Sequence, residues 1–461
     1  MLSSPLAAGA VCGPHKSHAF AGRHSAAIRR TTQPLLLIEA RSVSPKISVS
    51  RYLWTALVVV LLALNLRPNI AAIGPLLSTM QADIPLSNTA ASLLTTIPIM
   101  MIGVGALVGH RIRQVFDEYG GILAGIVVIS LGAAMRLVWW SPSGLIITSL
   151  IAGVGIALVQ VLIPSYIKRT YYGHSARIMG LYTTGIMGGA ALGAGAGGML
   201  TRLFGWAGGL AAWTFFGLTT TALWVGIHRA YKDHRPVTAL TVVEATKATA
   251  LQHAQLKADR SMLFKNVRAW ELMIFFGLNT AAFMLLLAWL PPYYTALGWS
   301  LEDAGFLLGV YTVGEVFVGL LLSGIIRYFP DRRPLLVAAL IGMSIGIILL
   351  ILVPEAAPIP LAALLGLSTG AVFALSLILA MDHAKDPEFA GTLSDFVQGG
   401  GYLVAGLMPF AAGMLRDRFD DLRGAWLLML FGIVILFMMV IRFRKETYMT
   451  SFPERKTVSS D

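Results

Sequence analysis

The sequence predicts an all-α membrane protein of twelve transmembrane helices arranged as two six-helix halves, and three observations predict it. The first is composition: of 461 residues, 56% are hydrophobic and only 13% charged, with a mean hydropathy of +0.73, where a soluble globular chain carries about 25% charged residues. The second is a succession of apolar runs of about 20 residues, the length a helix needs to cross the hydrocarbon core. The third is an internal duplication. Gly180, Gly188, Gly189 and Gly195 recur as Gly391, Gly399, Gly400 and Gly406 at a constant offset of 211, and Leu64-Asn65 recurs as Leu278-Asn279 at an offset of 214.

Taken in order, the predicted helices cover 52–80, 88–110, 120–140, 144–167, 178–201 and 206–228, then 269–295, 303–326, 334–353, 357–381, 390–415 and 424–443. The fifth, with Gly185, Gly188, Gly189, Gly193, Gly195, Gly197 and Gly198, is built to approach a neighbour closely, as small residues allow at membrane depth. The expected organisation is a basic tail over 1–51, an N-terminal half over 52–228, a linker over 229–268, a C-terminal half over 269–444 and a second tail over 445–461. The Ser-, Ala- and His-rich tail shares a transit peptide's composition, but it is expected to be a disordered cytosolic extension.

Orientation follows from the basic residues. With the N-terminus cytoplasmic, 29 Lys and Arg fall on the cytoplasmic side and four, Arg202, Arg416, Arg418 and Arg423, on the other. Arg67 and Arg136 lie within the membrane or at its edge. That asymmetry predicts an even helix count with both termini in the cytoplasm, and with nothing pointing to an organelle the plasma (inner) membrane is the expected location. The asymmetry also explains the net charge of +12 without nucleic acid, because the charges sit between apolar segments and not along one soluble face. A single cysteine, Cys12, excludes a disulfide framework, and the nine histidines show no metal-ligand spacing. No cofactor or metal is expected. The partners are a small-molecule solute and the bilayer, and the chain is expected to act as a monomer. A membrane enzyme would need clustered ligands at depth, and a sensor a soluble output domain; the sequence offers neither.

Arg67 stands in the middle of the first apolar run. A charge near the bilayer centre costs at least ~2.5–3.5 kcal/mol on insertion scales, and a guanidinium cannot shed its proton to escape that cost. Pro68 follows it and removes a backbone donor, so a kinked helix is expected, with Asn65 and Asn69 one turn apart on a shared face. Two roles fit Arg67: a fixed cation facing an anion-reading cavity, or a structural cation paired with a buried carboxylate. Glu315, about twelve residues into the eighth helix, is either that carboxylate or a group that carries protons.

The strings LNLRPNIAAIGPLL (64–77), SLLTTIPIMMIG (92–103), GVGIALVQVLIPSYIKR (153–169), IMGLYTTGIMGGAALGA (178–194), LAWLPPYY (287–294), PDRRPLL (330–336), LAMDHAKDPEFAGTL (379–393) and QGGGYLVAGLMP (398–409) resemble the major facilitator superfamily, and within it the cyanate transporter and 2-nitroimidazole transporter family. The resemblance covers roughly residues 52–445. The superfamily's signature between helices 2 and 3 is degraded here to GALVGHRIRQVFDEYGG (105–121), whereas Asp331-Arg332-Arg333 survives in the second half. The resemblance implies alternating access around a central cavity lined by helices 1, 4, 7 and 10. It brings Arg67, Asn65 and Asn69, Gln160 on helix 4, Asn279 on helix 7 and Gln398 on helix 11 forward as solute contacts, although amides at this depth also serve as interhelical glue. Tyr182, Thr183, Thr184 and Tyr311 are candidate rim residues. Asp331, Arg332, Arg333 and Asp382 are cytoplasmic gate candidates, beside His383, and Asp395 at the start of helix 11 has a gate or surface role. The expected function is secondary active, proton-coupled transport of a small anionic or dipolar solute of cyanate type, with efflux of neutral heterocycles such as 2-nitroimidazoles as the alternative.

Overall fold

The computed structural model describes residues 49–171, 174–231, 255–384, 386–448 and 450–452. Most of the expected N-terminal tail, the linker stretch 232–254 and residues 453–461 lie outside the described residues. The rest is helical, with no strand among the described residues.

The first span is α1 (Val49–Asn65), α2 (Pro68–Ala71) and α3 (Ile73–Asp83). The predicted run 52–80, expected to kink at Pro68, is therefore broken twice. Pro68 offers no N–H to the preceding turn, α1 ends before it, and Arg67 occupies the N-cap position of the one-turn α2. Asn65 and Asn69, expected one turn apart on one helical face, fall on either side of that break.

The following spans match the predicted runs within a few residues: α4 (Asn88–Val115), α5 (Glu118–Met135) and α6 (Pro142–Thr170). Each starts on a side-chain cap, Ser87, Asp117 or Ser141, which accepts from a first-turn N–H. The predicted run 120–140 overshoots, because α5 stops at Met135 and the chain turns before Trp139. Helices 5 and 6 form α7 (Ser175–Ala211) and α8 (Trp213–Tyr231), and α7 is broken at Gly205, whose φ of 71° and ψ of 170° favour glycine.

The second half runs α9 (Val267–Ala296), α10 (Leu301–Ile325), α11 (Arg333–Leu352), α12 (Pro358–Asp382), α13 (Pro387–Phe419) and α14 (Arg423–Arg442). Among the described residues nine helices are long and apolar enough to cross a membrane, and the pair α7–α8, bent by 51°, makes a tenth.

The halves meet at small residues, among them Gly74 of α3, where a Cβ would stand 2.8 Å from the Ala288 carbonyl of α9. The helix α13 lies along α4, where a Cβ built on Gly103 would stand 2.7 Å from the Gly399 carbonyl and one on Gly413 2.6 Å from the Asn88 carbonyl. The helix α10 lies along α7, where Gly305 meets the Ala194 carbonyl at 2.6 Å in the same sense. Of the duplicated pairs, Gly189 and Gly400 serve equivalent contacts: a Cβ on Gly189 of α7 would press on the Leu64 backbone of α1, and one on Gly400 of α13 on Met273 of α9. At one end of the α7–α10 contact Arg202 pairs with Glu302 at 2.7 Å. Towards the other end, a Cβ on Gly180, Gly319 or Gly324 would meet nothing within 4 Å.

Candidate functional site

The break in the first span places Arg67 in the protein interior with 2% of its surface exposed. Its Nε and Nη1 have no hydrogen-bond partner, and no ion pair reaches it among the described residues. It nevertheless interacts electrostatically with Glu315 of α10 and Tyr182 of α7, and Tyr402 of α13 interacts with Tyr182 in turn. Arg67 belongs to the first half and Glu315 to the second, and no ion pair joins them among the described residues.

Glu315 lies past the midpoint of α10 and is 8% exposed. Its Oε1 accepts from the Tyr311 hydroxyl at 3.2 Å and from the Thr369 hydroxyl of α12 at 3.2 Å, and those two hydroxyls are 3.0 Å apart. Its Oε2 is buried with no partner. Gly370 lets α12 approach this point, since a Cβ there would stand 2.7 Å from the Glu315 Cα. Phe283 of α9 stacks on Tyr311 with centroids 6.2 Å apart, and elsewhere on α9 Phe276 meets Tyr402 of α13 edge-on at 5.5 Å.

The expected amides have separate positions. Asn65 lies against α8, where a Cβ on Gly217 would stand 3.0 Å from its Nδ2. Asn69 gives its backbone carbonyl to Arg136, while its side-chain atoms have no partner. Asn279 is fully buried with both amide atoms unbonded, and Gln160 is partly buried with Oε1 unbonded. Gln398 is partly buried. No hydrogen bond joins any of these to Arg67 among the described residues. Of the rim candidates, Tyr182 is buried with its hydroxyl unbonded, Thr183 is exposed and donates to the Gly180 carbonyl of its own helix, and Thr184 is partly buried.

The gate candidates pair within one half. Arg332 Nε donates to Asp382 at 2.7 Å, tying the start of α11 to the end of α12, and Arg333 pairs with its near neighbour Asp331 at 2.7 Å. The Arg333 guanidinium holds the Asp331 carboxyl below its ordinary range. Neither pair spans the halves. The contact that does span them at this end is Arg113 of α4 with Asp395 of α13, at 3.5 Å. At the opposite end Asp417 of α13 accepts from Asn88 N (2.8 Å) and Nδ2 (2.9 Å) and from Thr89 N (2.8 Å) and Oγ1 (2.5 Å) at the start of α4.

Sequence reasoning missed Thr369, Tyr402 and Asp417, whose roles depend on which helices meet. It placed Arg136 within the membrane or at its edge but did not find its partners, and the structure buries it. No group of three His, Cys, Asp or Glu that could hold a metal occurs among the described residues.

A bundle of long apolar helices in two facing halves, with unbonded polar groups buried between them, defines a multi-pass membrane transporter. The profile of the Major Facilitator Superfamily matches residues 53–409, and the chain belongs to that superfamily. It is 32% identical to the cyanate transport protein CynX of Escherichia coli (strain K12) over 388 residues, 84% of this chain and 96% of that protein. It is 27% identical over 393 residues to a 2-nitroimidazole transporter of the same strain, covering 84% and 93%. Among solved structures it resembles an inward-facing, occupied bacterial homologue of the human lysosomal transporter Spinster (TM-score 0.69, 14% identity, 88% of this chain and 99% of that one). It also resembles a D-xylose–proton symporter (TM-score 0.65, 16% identity, 89% and 100%).

Proposed function

We propose that the chain is a secondary active transporter of a small anionic or dipolar solute of cyanate type, driven by protons. Membership of the superfamily supports the transport class. The observation that carries the finer reading is Arg67, a fully buried cation with two N–H groups unbonded and no acid in contact. An uncompensated buried charge is expensive, and a solute anion at Arg67 offsets that cost with charge-assisted hydrogen bonds. Binding would then favour the loaded protein's passage between its two access states.

In this reading Glu315 carries the proton. It belongs to the opposite half from Arg67, so its charge state changes the attraction between halves. With Glu315 ionised the two groups attract across the site; with Glu315 protonated the cation is left to the solute. The Arg113–Asp395 contact, lying between halves, acts as a gate, and the Arg332–Asp382 and Arg333–Asp331 pairs brace one half. Both termini lie in the cytoplasm and the membrane is the plasma membrane. The relative that carries cyanate supports a compact anion. The stacked rings of Phe283 and Tyr311 favour a second reading, export of a planar neutral heterocycle, which would stack on those rings.

Uptake into proteoliposomes of cyanate, nitrite, small carboxylates and nitroimidazoles, with and without a proton gradient, tests the proposal. Gradient-stimulated uptake of a small anion is the expected result. Transport of nitroimidazoles alone overturns it in favour of the second reading.

A further inference from the structure

We infer that Arg136 is a positioning residue that fixes the broken segment of the first span and thereby aims Arg67 at the solute; the inference rests on the proposed role of Arg67. Arg136 caps the C-terminal end of α5 and is 1% exposed. Its guanidinium donates from Nη1 to the Asn69 carbonyl at 3.2 Å, from Nη2 to the Ser149 hydroxyl at 3.1 Å and from Nε to the Thr148 hydroxyl at 3.4 Å. Thr148 and Ser149 are themselves wholly buried on α6. One side chain therefore joins the first, third and fourth spans.

All three acceptors are neutral, and no carboxylate pairs with Arg136 among the described residues. Three helices could be packed more cheaply by an aliphatic side chain of similar length, since replacing buried charges with apolar groups is often neutral or stabilising. A guanidinium supplies what an aliphatic chain cannot: several donors fixed in one plane and directed at separate acceptors. One of those donors is spent on the backbone of α2, a four-residue helix beginning at Pro68, immediately after Arg67. From another side the same segment meets Gly193 of α7, where a Cβ would stand 2.7 Å from the Pro68 Cα and 3.1 Å from its carbonyl oxygen. The Pro68–Asn69 backbone is thus held by a hydrogen bond from α5 and by close packing on α7. This holds the residue before it, Arg67, in the orientation that leaves its Nε and Nη1 unbonded. The positive charge of Arg136, shielded by no acid, also adds to the field that an anion at Arg67 would feel.

The test is a double-mutant cycle on anion uptake in proteoliposomes, with cyanate as the first probe and otherwise the best-transported anion of the screen. Arg67→Lys keeps a cation and hence measurable uptake; it is combined with Arg136→Gln, and melting in detergent is measured for every variant. Arg136→Gln is expected to raise KM about tenfold or more with wild-type Arg67, and to add little in the Arg67→Lys background, because it acts through Arg67. Arg136→Lys should not rescue, since one ammonium cannot reach three acceptors on two spans. Should Arg136→Gln not fold, Ser149→Ala removes one of the three bonds and is expected to raise KM by a smaller factor. Additive effects of the two substitutions, or a change confined to melting temperature, overturn the positioning role. Normal KM in Arg67→Lys and Arg67→Gln, or no anion uptake at all, instead overturns the reading of Arg67 on which it rests.

Discussion

Replacing Arg67 with glutamine separates a solute site from a structural cation, because the two roles predict opposite changes in stability. In the structure Nε and Nη1 are buried without partners, and each hydrogen bond to a charged group is worth about 1.5–3 kcal/mol. Two such bonds to a bound anion amount to about 3–6 kcal/mol, which at ~1.4 kcal/mol per decade is about a 10²- to 10⁴-fold loss of affinity in Arg67→Gln. Without solute the balance reverses. An unmet buried polar group costs about 1–3 kcal/mol, so removing the charge should raise the melting temperature of the purified protein. Saturating solute should stabilise the wild type, by about 2.7 kcal/mol at a hundredfold excess over Kd, and leave the variant unmoved. The assay is thermal unfolding in detergent with and without the transported anion, alongside uptake. A variant that is less stable without solute, yet binds with wild-type affinity, would show that Arg67 only holds helices together.

Four further outcomes follow from the same geometry. Glu315→Gln is expected to keep solute binding but lose the stimulation of uptake by a proton gradient, and equal gradient dependence in both proteins would remove Glu315 as the proton carrier. Gly193→Val should cost about 1–3 kcal/mol by overpacking and depress uptake more than stability, since its new atoms would press on Pro68 next to Arg67; unaltered uptake refutes that close contact. Asp417→Ala removes the carboxylate that receives the first N–H groups of α4, a cap worth about 1 kcal/mol, and should lower the melting temperature, with Asp417→Asn less affected. Asp331 has its carboxyl held below the ordinary value of 3.8 by Arg333, so its pairing stabilises the fold above that pH and is lost as pH falls through the lowered value. Asp331→Asn should therefore flatten the acid side of the melting profile, and an unchanged profile would count against the pair.

How far the sequence could be read depended on whether a feature is set along the chain or between chains of helices. The spans were legible because apolar length is a local property that the bilayer enforces, and each predicted run overlaps a helix, with ends misplaced by a few residues and the first span broken twice where one kink at Pro68 was expected. The duplicated glycines were legible as a repeat, yet a Cβ on Gly180, Gly195 or Gly391 would meet nothing within 4 Å, so the repeat alone does not mark the close contacts. Arg67 could be singled out because a lone guanidinium in an apolar run is visible without coordinates. Its surroundings could not. Thr369 reaches Glu315 only because Gly370 lets α12 come against α10, and Asp417 reaches Asn88 from 329 residues away. The gate candidates show the limit most plainly. Arg332 and Asp382 are opposite charges at helix ends of the second half, expected to form a cytoplasmic gate, and they pair where α11 and α12 pack side by side. The cross-half contact fell instead to Arg113 and Asp395, and charge alone could not rank these pairings. Arg136 was placed within the membrane or at its edge, but its partners were illegible for a related reason. Its position at the end of an apolar run suits a solvated helix terminus equally well, and only the packing of α5 against α6 and the broken first span turns it inward. An arginine ending an apolar segment, with adjacent Thr and Ser early in the next one, is therefore worth testing as a buried clamp before it is counted as a surface charge.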